Sequence, residues 1–168
     1  MFRLLLLVCA MALPVIYAIP VDNSSSLSPT SSGANRVIEP VAFSAVRASD
    51  KSRKANSKIF FDTTLSDVGF GWNPKSSEFT CFYPGSYFFT FTAISASGHH
   101  FKTALMKNSD EIVVGWGEQV GYQSASNSAI LNLEKNDRVY LNIREGEIYE
   151  TSKVGRHGYT SFSGFRVY

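Results

Sequence analysis

The sequence predicts an all-β sandwich, with a jelly roll as the leading version. From Val41 onward no window shows helical periodicity, whereas short runs rich in β-branched and aromatic residues recur. Turn chemistry separates these runs at a spacing of roughly eight to twelve residues. One run, Tyr87 to Ile94, is bulky on both faces and so needs cover on both sides, from a second sheet or another subunit.

Taken in order, the chain begins with Met1 to Ala18, which reads as a secretory signal. Arg3 gives the positive start and LLLLVCAMAL an apolar run too short to span a bilayer. Residues 19–40 form a flexible Ser- and Pro-bearing leader that could not bury enough surface to offset its ordering. Within it, Asn23-Ser24-Ser25 is an N-glycosylation acceptor. The folded domain is placed at 41–168. A secreted, extracellular protein with no membrane span is expected.

In VAFSAVR, Val41, Phe43 and Ala45 share one side. A mostly basic loop follows from Ser49 to Lys58, then a short strand, KIFFD. Gly69, Gly71 and Asn73-Pro74 mark a loop into the stretch from Glu78 to Ser95. That stretch reads as two strands meeting at Pro84-Gly85 in a type II turn, and the resulting hairpin is the predicted core. Phe79, Cys81 and Tyr83 share one face before the turn; Tyr87, Phe89, Phe91 and Ala93 share one after it. Further strands are FKTALMKN, EIVVGWG, SAILNL, RVYLNIRE and the terminal YTSFSGFRVY. Asn136 can adopt a left-handed conformation in the turn before RVYLNIRE. Phe162 and Phe165 break strict alternation, and Gly164 between them predicts a bulge or a close backbone approach.

The formal charge of +2 falls to +1 once Arg3 leaves with the signal, which argues against a nucleic-acid binder. Cys9 leaves too, so Cys81 is the only cysteine of the mature chain. It reads as a small buried hydrophobe rather than a cross-link between subunits.

In their order and spacing, VAFSAVR, IFFD, FTCFYPGSYFFTF, ALMKN, AILNLEKNDRVYLNI and SFSGFRVY resemble the globular head domain of complement C1q. The resemblance covers about Val41 to Tyr168. It implies a ten-stranded jelly roll shared with tumour necrosis factor ligands and assembled as a homotrimer. One face of Tyr87–Ile94 would then meet the opposing sheet and the other would approach the threefold axis. Phe43, Phe79, Cys81, Tyr87, Phe89, Phe91, Phe162 and Phe165 are the expected core and trimer-packing residues. Some relatives bind calcium through an acidic residue where this chain has Gly98-His99-His100, so neither metal nor other cofactor is expected.

No catalytic motif is present, and a non-enzymatic protein is predicted. Three regions are candidates for binding. The loop from Arg47 to Lys58, with Lys51, Arg53 and Lys54, could meet anionic surfaces, although an ordinary solvated loop is the plainer reading. Trp116, between Gly115 and Gly117, is either a stacking platform for a sugar or a core residue. The loop from Glu145 to Gly158, with Glu147, Tyr149, Glu150, Arg156 and His157, is the preferred contact surface. The leading function is a trimeric pattern-recognition or lectin-like binder of glycans or microbial surfaces. The alternatives are a structural extracellular-matrix protein, for instance of a shell or biomineral, and a soluble receptor ligand.

Overall fold

Two sheets face one another across a core of aromatic rings. The computed structural model describes residues 39–50, 53–151 and 158–168. The first sheet holds β1 (Ala42–Ala48), β3 (Phe61–Val68), β6 (Gly85–Ile94), β9 (Ser124–Leu133) and β11 (Ser161–Arg166), in the order β3-β1-β11-β6-β9. The second is built along β4-β5-β10-β7-β8, from β4 (Trp72–Asn73), β5 (Glu78–Thr80), β7 (Phe101–Lys107), β8 (Asp110–Gly117) and β10 (Arg138–Gly146). The two-residue β2 (Ser57–Lys58) pairs with β10. All pairings are antiparallel. The strand count of about ten and the two-sheet architecture agree with the sequence expectation.

Alternation along the strands builds the core. Phe43 and Ala45 point inward from the first strand, just after buried Val41, and Tyr87, Phe89, Phe91 and Ala93 from the sixth; all are buried. Phe43 stacks on Trp72 with ring centroids 4.6 Å apart, packs on Phe79 at 5.5 Å, and meets Phe162 edge-on at 5.0 Å. Burying each large apolar side chain contributes about 1.5–3 kcal/mol, so this ring cluster is the main source of stability. Cys81 is free and fully buried; its thiol donates to the Tyr83 carbonyl at 3.3 Å. Burial pushes that thiol's pKa up, which disfavours the reactive thiolate.

Three expectations change. The stretch Glu78–Ser95 is not a hairpin: β5 pairs with β4 and β10, whereas β6 pairs with β9 and β11. Gly85 has φ 159°, near extended, not the roughly +80° of a type II turn. The chain leaving β5 is held to its own sheet, with Cys81 N–H donating to Asp137 and its carbonyl accepting from Asn136. Pro84-Gly85 then carries it across the sandwich. Phe79 thereby faces Tyr87 at 5.3 Å and Phe89 at 5.5 Å, so the two aromatic rows cover each other.

Secondly, the polar run Phe61–Val68 continues as strand, where the sequence shows only KIFFD followed by loop. Its burial pattern is mostly exposed, so it lacks the alternation that marks a half-buried strand. Thirdly, Phe165 is not in the core of the protomer. It is 49% exposed and packs on Phe88 at 5.4 Å on the outer side of its sheet. The register through Gly164 is regular, with no bulge. Gly164 itself takes the inward position, where a Cβ would lie 2.5 Å from the Phe89 ring and 2.9 Å from Phe43. A close approach explains this glycine. Asn136 does adopt positive φ, at 73°.

In the five-stranded sheet the outward rows of β1, β6, β9 and β11 share a chemistry. They comprise Ala42, Ser44 and Val46; Ser86, Phe88, Thr90, Thr92 and Ile94; Ser124, Ser126, Ser128, Ile130 and Asn132; and Ser161, Ser163 and Phe165. None is ionisable. Hydroxyls pair across strands, Ser44 with Ser163 and Thr92 with Ser126, each at 2.8 Å. Phe88, Phe165 and Ile130 form an apolar group on this surface.

Candidate functional site

At one end of the sandwich, β6, β8 and β10 finish and β9 and β11 begin. The connections there are tied together by backbone bonds: Ser95 N–H to Gln123, Tyr149 N–H to Ile94 and Ile148 N–H to Arg53. Between them lies a cleft of about 310 Å³ lined by Ile94, Tyr122, Tyr149 and Tyr159. Tyr122 meets Tyr149 edge-on at 5.0 Å, and Tyr149 meets Tyr159 at 5.6 Å.

Each tyrosine is held by a bond made next to it. Buried Ser95 grips both neighbours of Tyr122: its hydroxyl donates to the Gly121 carbonyl at 3.2 Å and accepts from Gln123 N–H at 2.8 Å. Tyr149 N–H donates to the Ile94 carbonyl at 2.8 Å. Tyr159 belongs to a segment organised by Glu150, which is only 2% exposed. Glu150 Oε1 accepts from the N–H groups of Thr151 at 3.1 Å, Gly158 at 3.0 Å and Tyr159 at 3.5 Å. Its Oε2 accepts from Ala48 at 3.3 Å and Thr160 at 3.1 Å. Five donors on one carboxylate make its burial tolerable. Glu150 is therefore a structural clasp and not a contact residue of its loop.

The remaining candidates are dispersed. Arg53 pairs with Asp50 and donates through Nη1 to the Glu150 carbonyl at 2.8 Å, so it too braces this end. Arg47 lies 3.4 Å from Asp62 and Lys58 lies 3.0 Å from Glu78, so these two charges of the basic loop are also paired. Lys54 is exposed and has no carboxylate partner among the described residues. Lys51, Arg156, His157 and Asn23 lie outside the described residues, as do the signal and most of the leader.

Trp116 is 50% exposed on the second sheet's outer side, with its ring 5.6 Å from that of His100. Its flanking glycines do not open space for a ligand. A Cβ on Gly115 would press on Phe91 at 3.2 Å and one on Gly117 on Phe101 at 2.5 Å, so both serve packing beneath. Among the described residues, no group of three His, Cys, Asp or Glu side chains could hold a metal.

Of the cleft, sequence reasoning named only Tyr149. Tyr122 and Tyr159 each follow a glycine with positive φ, Gly121 at 64° and Gly158 at 84°. The repeated Gly-Tyr pair in polar loops was the available signal.

A family model described as the C1q domain matches residues 42–167. A complement C1q subcomponent of Bos taurus is 31% identical over 139 residues, which is 81% of this chain and 55% of that protein. The chain thus spans about half the length of that relative. Among solved structures, the globular domain of zebrafish complement 1qA superposes with TM-score 0.62 at 26% identity, covering 77% of this chain and 98% of the other. Murine APRIL at pH 5.0 superposes with TM-score 0.60 at 8% identity, covering 76% and 99%, a likeness of fold alone.

Proposed function

The chain belongs to the C1q domain family, and from that premise we propose that it is the protomer of a secreted homotrimer recognising glycan or microbial surfaces through the loops around the tyrosine cleft. The family is non-catalytic, its members are generally extracellular, and they typically trimerise. One observation carries the reading: an uncharged sheet face ends in an aromatic cleft, with Ile94 belonging to both. Depletion of charge around exposed aromatics is the composition of the centre of a subunit interface. Burying that face between copies sets several clefts on one particle, and avidity then compensates for weak single sites.

Two measurements test this. Sedimentation at micromolar concentration under reducing conditions should give three times the protomer mass, and a monomer sinks the assembly. The purified trimer should bind on a glycan array or to intact microbes. A trimer that binds neither leaves a matrix or receptor-ligand role in place of recognition.

A further inference from the structure

We infer that the cleft of Tyr122, Tyr149 and Tyr159 binds the ring of a neutral pyranose sugar, with Glu150 and Ser95 as positioning residues. The inference rests on the recognition reading above and narrows its ligand class.

The lining decides the class. The described residues of its lining are one isoleucine and three tyrosines, none of them a cation that would favour a carboxylate, sulfate or phosphate. Arg53, the cation that braces this end, is engaged elsewhere, on Asp50 and on the Glu150 carbonyl. Three phenol rings, with Tyr149 meeting each of the other two, offer faces and edges for the C–H side of a sugar. Among the described residues none of the three phenol hydroxyls has a hydrogen-bond partner, which leaves donors and acceptors for the ring hydroxyls. A volume of about 310 Å³ lies at the small end of ligand pockets, suited to one or two rings.

The support beneath the rings suits a preformed site. The five N–H bonds to Glu150 and the Ser95 grip fix the backbone on both sides of the cleft. Pre-ordering of this kind lowers the entropic cost of a small ligand. In Glu150→Gln one carboxylate oxygen becomes an NH2 group facing N–H donors, so ring spacing should loosen while the sheets persist.

The experiment is a titration of the full mature protein with methyl glycosides of neutral hexoses and N-acetylhexosamines, followed by NMR of the tyrosine ring protons. Sialic acid, a sulfated oligosaccharide and a proline-rich peptide are run beside them. At least one neutral glycoside should shift the rings of Tyr122, Tyr149 and Tyr159 in saturable fashion. Its affinity should be unchanged between roughly 50 and 500 mM salt, where charge attraction would be screened. Tyr149→Ala should weaken it about tenfold, the scale of one lost ring contact. Tyr149→Phe, which keeps the ring, should lose less, and Glu150→Gln should weaken binding without altering sedimentation.

If only the anionic sugars or the peptide move these rings, the assigned ligand class is wrong. If no probe moves them while the trimer still binds glycans or microbes, the cleft is not the site and the recognition reading survives. If neither rings nor surfaces respond, both fail.

Discussion

On the outer side of the six-stranded sheet, Lys102 and Arg144 each lie 3.1 Å from Glu111, while Lys58 lies 3.0 Å and Arg138 4.0 Å from Glu78. On the outer side of β1, β6, β9 and β11 of the five-stranded sheet the corresponding rows hold serine, threonine, asparagine, alanine, valine, isoleucine and phenylalanine, and the sheet's one ion pair among the described residues, Arg47 with Asp62, lies towards its β3 edge. Exposed apolar area does not separate these faces, since Trp116 is as exposed on one as Phe165 is on the other. Charge does. A solvated sheet tolerates rings among ion pairs, whereas the proposed interface requires a sheet without groups that would be costly to desolvate.

Adjacent residues of β6 offer the strongest test of the contrast. Phe89 points into the core and Phe88 onto the uncharged face. Phe89→Asp buries an unpaired charge at a cost of several kcal/mol and should abolish soluble folded protein, scored by expression and circular dichroism. Soluble expression of this variant at the normal level would contradict the core assignment. Phe88→Asp leaves the core intact and should give a folded protein that sediments as monomer. A trimeric Phe88→Asp would mean that the uncharged face is not the interface.

A smaller effect is expected where the two sheets are joined at the end opposite the cleft. Asp137 accepts from Asn108 Nδ2 at 2.8 Å and Glu134 N–H at 2.9 Å, and lies 3.0 Å from Lys107 Nζ. The Asn108 bond, then the Glu134 bond and Lys107, hold its carboxyl below the usual 3.8. A depressed folded pKa gives stability that is present above the unfolded value and lost as pH falls through the folded one. Asp137→Asn should therefore lower the urea-unfolding stability by about 1–3 kcal/mol at pH 7. That deficit should shrink as pH drops below about 4. A deficit independent of pH would remove the charge argument.

Glu111→Gln should matter least. It removes two exposed pairs worth about 0–1 kcal/mol each, without changing the sedimentation coefficient. Dissociation of the trimer by this variant would reverse the assignment of the two faces.

Sheet rows were legible wherever alternation separated buried from exposed residues, as in Val139, Leu141 and Ile143 or Phe43 and Ala45. β3 was not, because an exposed edge strand imposes little pattern on its sequence. The crossing at Pro84-Gly85 was misread because local turn chemistry does not say which sheet the next strand joins. The cleft was mostly invisible for a similar reason. Ile94, Tyr122, Tyr149 and Tyr159 come from strand ends and loops far apart in sequence, and their proximity follows from sheet order alone. Glu150 illustrates the converse. Its composition suggested a surface contact, and only the converging N–H groups identify it as a buried clasp.

That clasp bears on how such a domain diversifies. Thr151 and Gly158, the two ends of one excursion, are both tied to the same carboxylate, which sits outside the excursion and answers to Ala48 and Thr160 of the scaffold. Those donors are backbone N–H groups, which do not depend on side-chain identity, so replacing the residues between the two anchors removes none of them. Descendants of one ancestral domain could thus exchange this segment like a cassette, trying new partners while inheriting an unaltered frame. For the protein engineer, the same two anchor points mark where a foreign peptide could be grafted.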